Sequence, residues 1–278
     1  MQPLIHLFVL ASGSKGNAAV IQGPQGSLLV DCGISWRELG RRADAVGCDL
    51  DLVRAVLVTH EHSDHVRGLT TLHKRMDVPL LATAGTAGGS RTTLDLPFDL
   101  VDHDQSLGLA GMQVDLFPTS HDVADPFGLR ASVVDPYGEV QDSLGWCTDT
   151  GFLTAEALGA LRGVRILGLE SNHDADMLAH GPYPAFLKAR VGGERGHLSN
   201  DQCAEALGHL VGEDTETVVG LHISQQNNTP GACIRTLADS LGAQVVEAPE
   251  DGALAEARTP DGLLSICVAG QDEPLVVW

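Results

Sequence analysis

Three histidines and an aspartate crowd into six residues, His60 to His65, which read HEHSDH and are called the metal segment below. In an extended or turning segment, residues two apart point to the same side, so His60 and His62 can converge on one cation. Asp64 and His65, a step further on, turn toward a second cation. Imidazole and carboxylate ligands without a thiolate suit Zn²⁺, Mn²⁺ or iron rather than Ca²⁺. Because the chain holds only 12 histidines in 278 residues, a chance cluster of surface residues is a poor explanation, and the segment predicts a metal site.

Apolar runs deliver this segment and other polar residues to the ends of predicted strands. Residues 56–58 are apolar without interruption, which is typical of a strand buried on both faces, and the metal segment follows closely. Later apolar runs stop shortly before His121, Asp149, the stretch 170–174 and His222. Polar residues at the ends of several strands, all on one edge, are how sandwich and α/β enzymes assemble a site. The spacing therefore predicts one site built from several strand ends.

The rest of the pattern alternates strands with helices. Strands are predicted over residues 5–10, 18–22, 28–30, 78–82, 112–117, 144–148, 164–169 and 217–220, helices over 35–46, 66–76 and 199–210, and turns at 84–90 and 135–138. Two helix starts have the capping-box spacing, a serine followed three residues later by glutamate or glutamine: Ser35 with Glu38 and Ser199 with Gln202. Gly47 fits the position just after the first of these helices.

The length and composition of the chain limit the architectures it can adopt. With 278 residues and 43 % hydrophobic content the chain can bury a large core, and a single domain over residues 1–278 is predicted. The apolar run at residues 4–10 has no positive region before it and is too short for a signal or transmembrane segment, so we expect a cytoplasmic protein that does not enter a membrane. The cysteines form no C-x-x-C pair, which predicts reduced, mostly buried thiols: Cys32, Cys48, Cys147, Cys203, Cys233 and Cys267.

The net charge of −20 argues against the simplest nuclease, because a protein that grips phosphates usually carries a basic face. Charge can be local, however. Lys15 lies in a Gly/Ser loop, and Lys188, Arg190 and Arg195 lead into His197. A small cationic patch is one interpretation of these residues, and ordinary solvated charges are the other. The Gly/Ser loop itself either presents backbone N–H groups to an anion or is only a tight turn.

The T-H-x-H-x-D-H pattern after a buried strand resembles the signature of the metallo-β-lactamase superfamily. The resemblance implies an α/β fold, the αββα four-layer sandwich of two mixed β-sheets flanked by helices, with hydrolysis as the chemistry. It implies two divalent metal ions, zinc or manganese first and iron as a further option. The implied ligands of one ion are His60, His62 and His121. The implied ligands of the other ion are Asp64, His65 and His222, and Asp149 would bridge the two ions. The resemblance also implies that Asp31 braces the metal segment. Histidines without such a setting are expected to be structural or exposed: His6, His73, His103, His180 and His209.

Shorter motifs spread over nearly the whole chain narrow the resemblance. They are ASGSKGN near the start, LESNHD at 169–174, ML at 177–178, GxYP at 181–184, LKxR at 187–190, GHLSN at 196–200 and a final HISxxNN at 222–228. Together they resemble the YycJ/WalJ family of predicted exonucleases. The resemblance implies nucleic acid as the partner, DNA more than RNA, and digestion with 5′–3′ polarity. It leaves the oligomeric state open.

Two residues are predicted to act in the reaction itself. In a two-metal phosphodiester hydrolysis, Asp64 would orient the attacking water or take its proton. His197 precedes the predicted Ser199 helix, whose free N–H groups and dipole favour an anion. The short G-H-x-S element is also similar to one in transfer-RNA-processing members of the superfamily, where the histidine faces the scissile phosphate. Weaker candidates would contact the substrate: Lys15, Asn17, Asn172 and His173.

Two other functions stay open at this point. A hydrolase of small esters, thioesters or lactones, of glyoxalase II or lactonase type, is favoured by the acidic charge and by an aromatic content of only 4 %, which leaves few rings to stack on bases. A metal-binding protein without turnover is disfavoured because every expected ligand is present. A positive groove wide enough for a strand would favour the nuclease, and a closed apolar pocket would favour the small-molecule hydrolase.

Overall fold

The computed structural model describes residues 3–250 and 254–278, so the predicted domain span of 1–278 includes residues 1–2 and 251–253, which lie outside the described ranges. The strands are β1 (His6–Ala11), β2 (Ala18–Gly23), β3 (Gly26–Val30), β4 (Val53–Leu57), β5 (Leu80–Ala82), β6 (Phe98–Leu100), β7 (Ser106–Leu109), β8 (Met112–Pro118), β9 (Phe127–Val134), β10 (Val140–Cys147), β11 (Ile166–Glu170), β12 (Thr217–Leu221), β13 (Gln244–Glu247), β14 (Ala255–Arg258), β15 (Ser265–Val268) and β16 (Leu275–Val277). The α-helices are α1 (Trp36–Ala45), α2 (Ser63–Val66), α3 (Leu69–His73), α4 (Ala84–Gly88), α5 (Arg91–Leu94), α6 (Ala155–Leu161), α7 (Ala175–His180), α8 (Ala185–Val191), α9 (Asn200–Leu210) and α10 (Pro230–Ser240). A short 3₁₀ helix, Leu50–Leu52, precedes β4.

The strands form two mixed sheets. The first has the order β16-β1-β2-β3-β4-β5-β6 and is parallel from β3 to β6. The second has the order β13-β14-β15-β12-β11-β10-β9-β8-β7 and is parallel from β15 to β10. Parallel neighbours need long crossover connections, and in the second sheet these carry helices: α6 after β10, α7 to α9 after β11, and α10 after β12.

Apolar side chains form three buried layers, one between the sheets and one outside each sheet. The central layer contains Leu7 and Leu57 from the first sheet together with Leu129 and Trp146 from the second. The layer outside the first sheet includes Leu39 of α1, and the layer outside the second sheet is built on α6, α9 and α10. Helices therefore cover both outer faces, and the predicted αββα four-layer sandwich is confirmed.

One edge of the sandwich collects the predicted site. Strands β10, β11 and β12 are parallel and end together there, and β8 ends there too because β8 and β10 are both antiparallel to β9. Parallel strands β3 and β4 of the first sheet lead to the same edge. The polar residues that end or follow these strands are Asp31, the metal segment, His121, Asp149, Glu170 and His222.

The predicted helix over 66–76 was right only in part, because two short helices, α2 and α3, replace one continuous helix and the chain is interrupted at Gly68 between them. The Gly68 N–H donates to Cys32 O over 2.7 Å. A side chain at Gly68 would collide with the backbone of Ile34, so glycine allows this close approach. The break lets the end of the metal segment lie against the loop that follows β3.

Other helix starts differ from the prediction in detail. The expected turn at 84–90 contains α4, whose first turn is capped by the side chain of Thr83. Ser35 caps α1 by accepting a hydrogen bond from the Glu38 N–H, but the Glu38 carboxylate pairs with two arginines of the same helix instead of completing the box. The predicted capping box of α9 is complete.

The remaining sequence-based expectations concern thiols, histidines and membranes. The six cysteines are free and five of them are buried, as predicted. His180 and His209 are exposed, and the other histidines predicted to lie outside the site are partly buried. Among the described residues, no helix is both long enough and apolar enough to cross a membrane.

Candidate metal centre

Asp149 lies at the centre of the polar residues gathered at this edge. It follows β10, and only 2 % of its surface is exposed. Its Oδ2 lies 3.2 Å from His65 Nε2, and its Oδ1 lies 3.5 Å from His222 Nε2. Oδ1 is also 3.8 Å from His121 Nε2 and 3.9 Å from His60 Nε2. A carboxylate surrounded by imidazoles from separate parts of the chain is the arrangement that a bridging ligand needs.

The other six predicted ligands fall into two groups around this carboxylate. Within each group the possible ligand atoms lie within 4.8 Å of one another, and the groups are His60, His62 and His121, and Asp64, His65 and His222. These are the two sets assigned to the two ions from the sequence. The structure therefore brings all seven residues together, while their role as ligands stays a prediction.

Asp31 fixes the direction of the His65 ring. Its Oδ2 lies 2.7 Å from His65 Nδ1, and its carboxylate accepts hydrogen bonds from the N–H and the hydroxyl of Thr59, each over 2.8 Å. With Nδ1 as the donor, the Nε2 lone pair of His65 faces Asp149. The structure thus places Asp31 where a brace for the metal segment is expected.

Two further histidines are fixed through the same ring nitrogen. His121 Nδ1 lies 2.9 Å from Gly196 O, and His222 Nδ1 lies 3.1 Å from Asn17 Oδ1. Nε2 of each ring therefore points into the cluster. His62 is oriented the other way, with its Nδ1 3.2 Å from His121 Nε2. Each ring presents one nitrogen to a common space, which is the geometry of metal-binding histidines.

Three of the predicted histidine ligands, His60, His62 and His121, are held in the neutral form that metal binding requires, whereas the carboxylates of Asp149, Asp31 and Asp64 outweigh burial and raise the pKa of His65 well above its usual value. His60 Nε2 is buried without a hydrogen-bond partner, although an unpaired polar atom in a protein interior is costly. Burial, together with the neighbouring imidazoles, lowers the pKa of His60 well below its usual value, and burial also lowers the pKa of His62 and His121. A neutral imidazole with a free nitrogen is the form that binds a metal ion. The residues therefore fit divalent metal ions.

Backbone strain marks the same residues. Asp31, Asp149 and His222 have φ angles of 60°, 56° and 53°, in the left-handed region that non-glycine residues rarely occupy. Each follows the end of a strand, so the unusual turn holds its side chain in the cluster while the chain leaves the sheet. Strain of this kind, on the order of 1–3 kcal/mol per residue, is characteristic of functional sites.

A charged pair, His197 with Glu170, borders the cluster. His197 Nδ1 lies 2.7 Å from Glu170 Oε1, and Glu170 Oε2 accepts hydrogen bonds from the N–H groups of Thr150 (2.9 Å) and Leu198 (3.2 Å). Burial would lower the pKa of His197, but the Glu170 carboxylate outweighs it and raises the pKa to about 9. Because Nδ1 is held by Glu170, the ring leaves its Nε2 for the cleft that His197 lines.

The start of α9, predicted to favour an anion through free N–H groups, has few such groups to offer. The N–H groups of Ser199, Asn200 and Gln202 all donate to acceptors within the protein. Glu170, which holds the His197 ring, was not predicted as a site residue, although it ends an apolar strand within the LESNHD motif. That strand-end position was the signal available for it.

Comparison with known proteins places the chain in a family. A family model described as "Beta-lactamase superfamily domain" matches residues 27–223. The chain is 30 % identical to Exodeoxyribonuclease YycJ of Bacillus anthracis over 247 residues, which cover 87 % of this chain and 89 % of the relative. The chain belongs to the YycJ/WalJ family. It is also 30 % identical to Exodeoxyribonuclease WalJ of Streptococcus pneumoniae over 241 residues, 84 % of this chain and 87 % of the relative.

A solved structure shows the same fold. The metallo-beta-lactamase fold protein YhfI from Bacillus subtilis superposes with a TM-score of 0.67 at 13 % identity, over 98 % of this chain and 99 % of that one. This YycJ/WalJ-family protein is therefore a metal-dependent hydrolase with the metallo-β-lactamase fold.

Asp122, like Glu170, is a carboxylate near the cluster that was not predicted as a site residue from the sequence. Its Oδ1 lies 3.5 Å from His62 Nε2 and 3.5 Å from His121 Nε2, and its Oδ2 lies 2.5 Å from Arg190 Nε. Asp122 thus connects an arginine of α8 to two predicted ligands. Its place directly after His121 in the sequence was the signal for it.

The four weaker candidates for substrate contact differ in how deeply they are buried. Asn17 and Asn172 are buried and hold the loop of His222, since Asn17 Oδ1 meets its ring and Asn172 Nδ2 donates to its carbonyl oxygen over 2.8 Å. His173 is also buried, with 4 % of its surface exposed. Lys15, by contrast, is exposed, so it is the candidate best placed to reach a substrate.

The Gly/Ser loop of the YycJ/WalJ-family chain is a tight turn rather than an open anion site. The N–H of Gly13 donates to Asn17 Oδ1 and that of Lys15 donates to Gln271 Oε1, each over 2.8 Å. The N–H of Gly16 donates to Gly13 O over 3.0 Å. Because these N–H groups already have acceptors, the loop serves to hold Asn17 against the cluster.

The predicted cationic patch is partly neutralised. Arg190 is paired with Asp122, whereas Lys188 donates to a backbone carbonyl over 2.6 Å and Arg195 donates to two, over 3.2 and 3.4 Å. One of the Arg195 acceptors is His121 O, so this guanidinium lies beside the cluster. Lys188 and Arg195, bound to carbonyl oxygens, keep their charge, whereas the charge of Arg190 is offset by Asp122.

Proposed function

We propose that the protein is an exonuclease that hydrolyses phosphodiester bonds in DNA, with 5′–3′ polarity and in the cytoplasm. The observation that carries the proposal is the 2.7 Å hydrogen bond by which Glu170 holds His197 at the edge of the predicted ligands. A proton donor fixed at that position favours a substrate that is anionic and gains charge during the reaction. The names of the YycJ and WalJ relatives support DNA as this substrate.

Two divalent ions complete the proposed site, zinc or manganese first and iron as a further option. The residues that would hold them are His60, His62 and His121 for one ion, Asp64, His65 and His222 for the other, and Asp149 for both. Bound there, such ions supply Lewis acidity and lower the pKa of a water molecule, so that it can attack at neutral pH.

Asp64 and His197 are the side chains proposed to act on protons. Asp64 is half-buried, and Asn17 Nδ2, 3.3 Å from its Oδ2, holds the carboxylate at the edge of the cluster. There it orients the attacking water and accepts its proton as the new bond to phosphorus forms. His197 Nε2 stabilises the phosphate charge and can give its proton to the leaving oxygen as the old bond breaks.

A hydrolase of small esters, thioesters or lactones is the competing proposal. The net charge of −20 favours it, because an acidic surface repels a polyanion at long range. The small size of the cleft, about 250 Å³, also suits a small substrate. Against it, an imidazolium stabilises an anionic phosphodiester far more than a neutral ester.

End-labelled nucleic acids test the proposal directly. Metal-loaded protein is incubated with single- and double-stranded DNA and RNA labelled at either end, alongside a thioester and a lactone. Single nucleotides are expected to leave one end of the DNA, and the position of the label reports the polarity. Turnover of the thioester or lactone without release of any nucleotide would contradict the nuclease and support the competing proposal.

Asp64→Asn provides the matched inactive protein for that experiment. The amide keeps the shape of the side chain but cannot accept a proton, so the variant should fold, retain at least one metal ion and lose most hydrolysis. Elemental analysis and thermal unfolding check the first two points. Unchanged turnover would remove Asp64 from the mechanism.

A further inference from the structure

The cleft beside the predicted ligands is also lined by Tyr183, Leu187 and Val191, called the apolar wall below. The three residues are spaced four apart in the sequence. Leu187 and Val191 belong to α8, so this spacing places them on one helix face, and Tyr183 continues the line just before the helix begins. The cleft, with a volume of about 250 Å³, is thus lined both by predicted ligands and by the apolar wall.

Two contacts fix the apolar wall relative to the ligands. Near the end of α8, Arg190 pairs with Asp122, which approaches the rings of two predicted ligands. At the last residue of the helix, Val191 O accepts a hydrogen bond from the His197 N–H over 2.8 Å. The wall and the proposed catalytic histidine are therefore parts of one rigid arrangement.

Tyr183 adds an aromatic ring to the wall in a restricted setting. It is half-buried and lies between Pro182 and Pro184, and a residue before proline is confined to extended backbone. A surface that is fixed beforehand loses little conformational entropy when a ligand packs on it. Because the chain has only two tyrosines and 4 % aromatic residues, a ring at this cleft is not a general feature of its surface.

We propose that the apolar wall binds the nucleobase of the nucleotide whose phosphodiester is cleaved, with the base stacked on Tyr183, and that this nucleotide must be unpaired. The inference rests on the proposed nuclease function. Every base has a π face, so stacking on Tyr183 tolerates any sequence. Ligand pockets commonly measure about 300–1,000 Å³. This cleft is smaller, so a single base suits it better than a base pair.

Stacking of a base on Tyr183 also compensates for the weak attraction between an acidic protein and the phosphates of its substrate. In a chain of net charge −20, attraction to phosphates is weak outside a local region. A base held on the apolar wall supplies binding that does not depend on charge. The proposal therefore names the substrate class as the unpaired end of a nucleic acid strand.

Removal of the ring tests the proposal, with the base as the second variable. The substrates are a single-stranded oligodeoxynucleotide and the same strand with an abasic terminal nucleotide. Tyr183→Ala should raise KM for the intact strand about tenfold, as expected for the loss of one stacking contact, and should leave KM for the abasic strand unchanged. Tyr183→Phe, which keeps the ring, should have the wild-type KM for the intact strand. Tyr137→Ala is the matched control, because Tyr137 is 91 % exposed in the β9–β10 turn, away from the cleft, and should change nothing.

A binding measurement gives a second readout that does not require turnover. In the Asp64→Asn background, a strand with 2-aminopurine as the terminal base should lose fluorescence on binding, because stacking quenches this base. Adding Tyr183→Ala should abolish the quenching, and adding Tyr183→Phe should retain it. Blunt duplex ends should be digested more slowly than frayed ends of the same sequence.

Several results would overturn the proposal. Equal losses on intact and abasic strands would give Tyr183 a purely structural role, and no loss on either would place the base elsewhere. Blunt ends digested as fast as frayed ends would contradict the requirement for an unpaired nucleotide. Failure of the nuclease function itself looks different: the wild-type protein would release nucleotides from no nucleic acid yet would hydrolyse an ester, thioester or lactone.

Discussion

Strands β10, β11 and β12 carry charged residues at both ends, and the two ends differ in how those charges are satisfied. Near the start of β10, Asp142 Oδ1 accepts from Arg165 Nε over 2.7 Å, and Asp142 Oδ2 accepts from the N–H groups of Leu4 (2.7 Å) and Ile5 (2.8 Å). Arg165 also donates to Ile5 O over 2.6 Å and to Trp278 O over 3.2 Å. This network ties residues beside β1 and β16 of the first sheet to the second sheet.

The opposite end of the same strands has the reverse character. Asp149 follows β10 with a left-handed backbone, and its carboxylate faces several imidazoles. His60 Nε2 next to it is buried without any hydrogen-bond partner. Paired charges at one end stabilise the sandwich, whereas strained and unpaired groups at the other end fit a ligand that the protein alone does not supply. Burial of charge alone therefore does not mark a site, and neither does a single unpaired atom, since Trp146 Nε1 is also buried without a partner. What distinguishes the site end is that imidazoles from several segments surround one carboxylate on strained backbone.

The same substitution at the two ends of β10 should separate these roles, and the largest effect is expected at Asp149. Asp149→Asn removes the charge from the centre of the cluster, so metal content should fall and turnover should drop by roughly a thousandfold or more. Elemental analysis and hydrolysis assays measure the two quantities. Normal turnover in Asp149→Asn would contradict the assignment of different roles to the two ends of β10.

Asp142→Asn should have the opposite profile. The substitution leaves the Arg165 guanidinium short of its main partner in a largely buried network, which should lower the free energy of unfolding by about 3 kcal/mol. Turnover per folded molecule and metal content should match the wild type. Chemical denaturation measures the loss, and a large loss of metal from this variant would show that the two ends are not independent.

The pH dependence of stability sharpens the prediction for Asp142. Burial would raise the pKa of this carboxyl group, but hydrogen bonds from Arg165 and from the N–H groups of Leu4 and Ile5 hold it below its usual value. A carboxyl group with a lowered pKa stabilises the fold above its unfolded pKa of about 3.9, and the contribution is lost as pH falls through the folded pKa. Wild-type protein should therefore lose stability below about pH 4 more steeply than Asp142→Asn.

The next effect in size concerns His197 at the site end. His197→Ala should leave both metals bound and lower turnover by roughly a hundredfold, the usual range for one acid–base or charge-stabilising group. Thermal stability should change little. The loss should appear with phosphodiesters and be small with carboxylic esters, because a cation helps an anionic substrate most. Equal losses on both substrates would make His197 a structural support and would favour the small-molecule hydrolase.

The sequence was sufficient to predict whatever depends on local pattern. An uninterrupted apolar run followed by polar residues marks the end of a buried strand, and that rule located His121, Asp149 and His222 as well as the metal segment. The spacing of Ser199 and Gln202 likewise defines a capping box by local geometry alone. Residue type and strand-end position were enough because both are properties of a few consecutive residues.

Features that depend on contacts between distant segments could not be predicted in this way. The break at Gly68 arises because the loop after β3 packs against it, and nothing in the neighbouring sequence indicates that approach. Asn17 and Asn172 point inward because both meet the loop of His222, far along the chain. Glu170 acquires its importance in the same manner, through a partner 27 residues away.

Glu170 supports the last and smallest prediction, which asks whether the charge at His197 or only its position matters. In Glu170→Gln the single amide oxygen can keep the hydrogen bonds from the Thr150 and Leu198 N–H groups, while the amide NH2 then faces His197 Nδ1. The carboxylate charge is gone, so the pKa of His197 should fall from about 9 toward its ordinary value of about 6.5. At pH 6 the imidazole stays largely protonated and turnover should be near that of the wild type. At pH 8 it should be about tenfold lower, and the alkaline limb of the kcat/KM profile should move to lower pH.

The Glu170–His197 pair should stabilise the wild-type fold fully below about pH 6.5 and lose that contribution as pH rises through about 9, so the variant should also show a flatter alkaline loss of stability. A loss of activity that is equal at every pH would instead mean that Glu170 acts through its hydrogen bonds to the Thr150 and Leu198 N–H groups, and that the site end, like the opposite end, uses this carboxylate only to hold the fold.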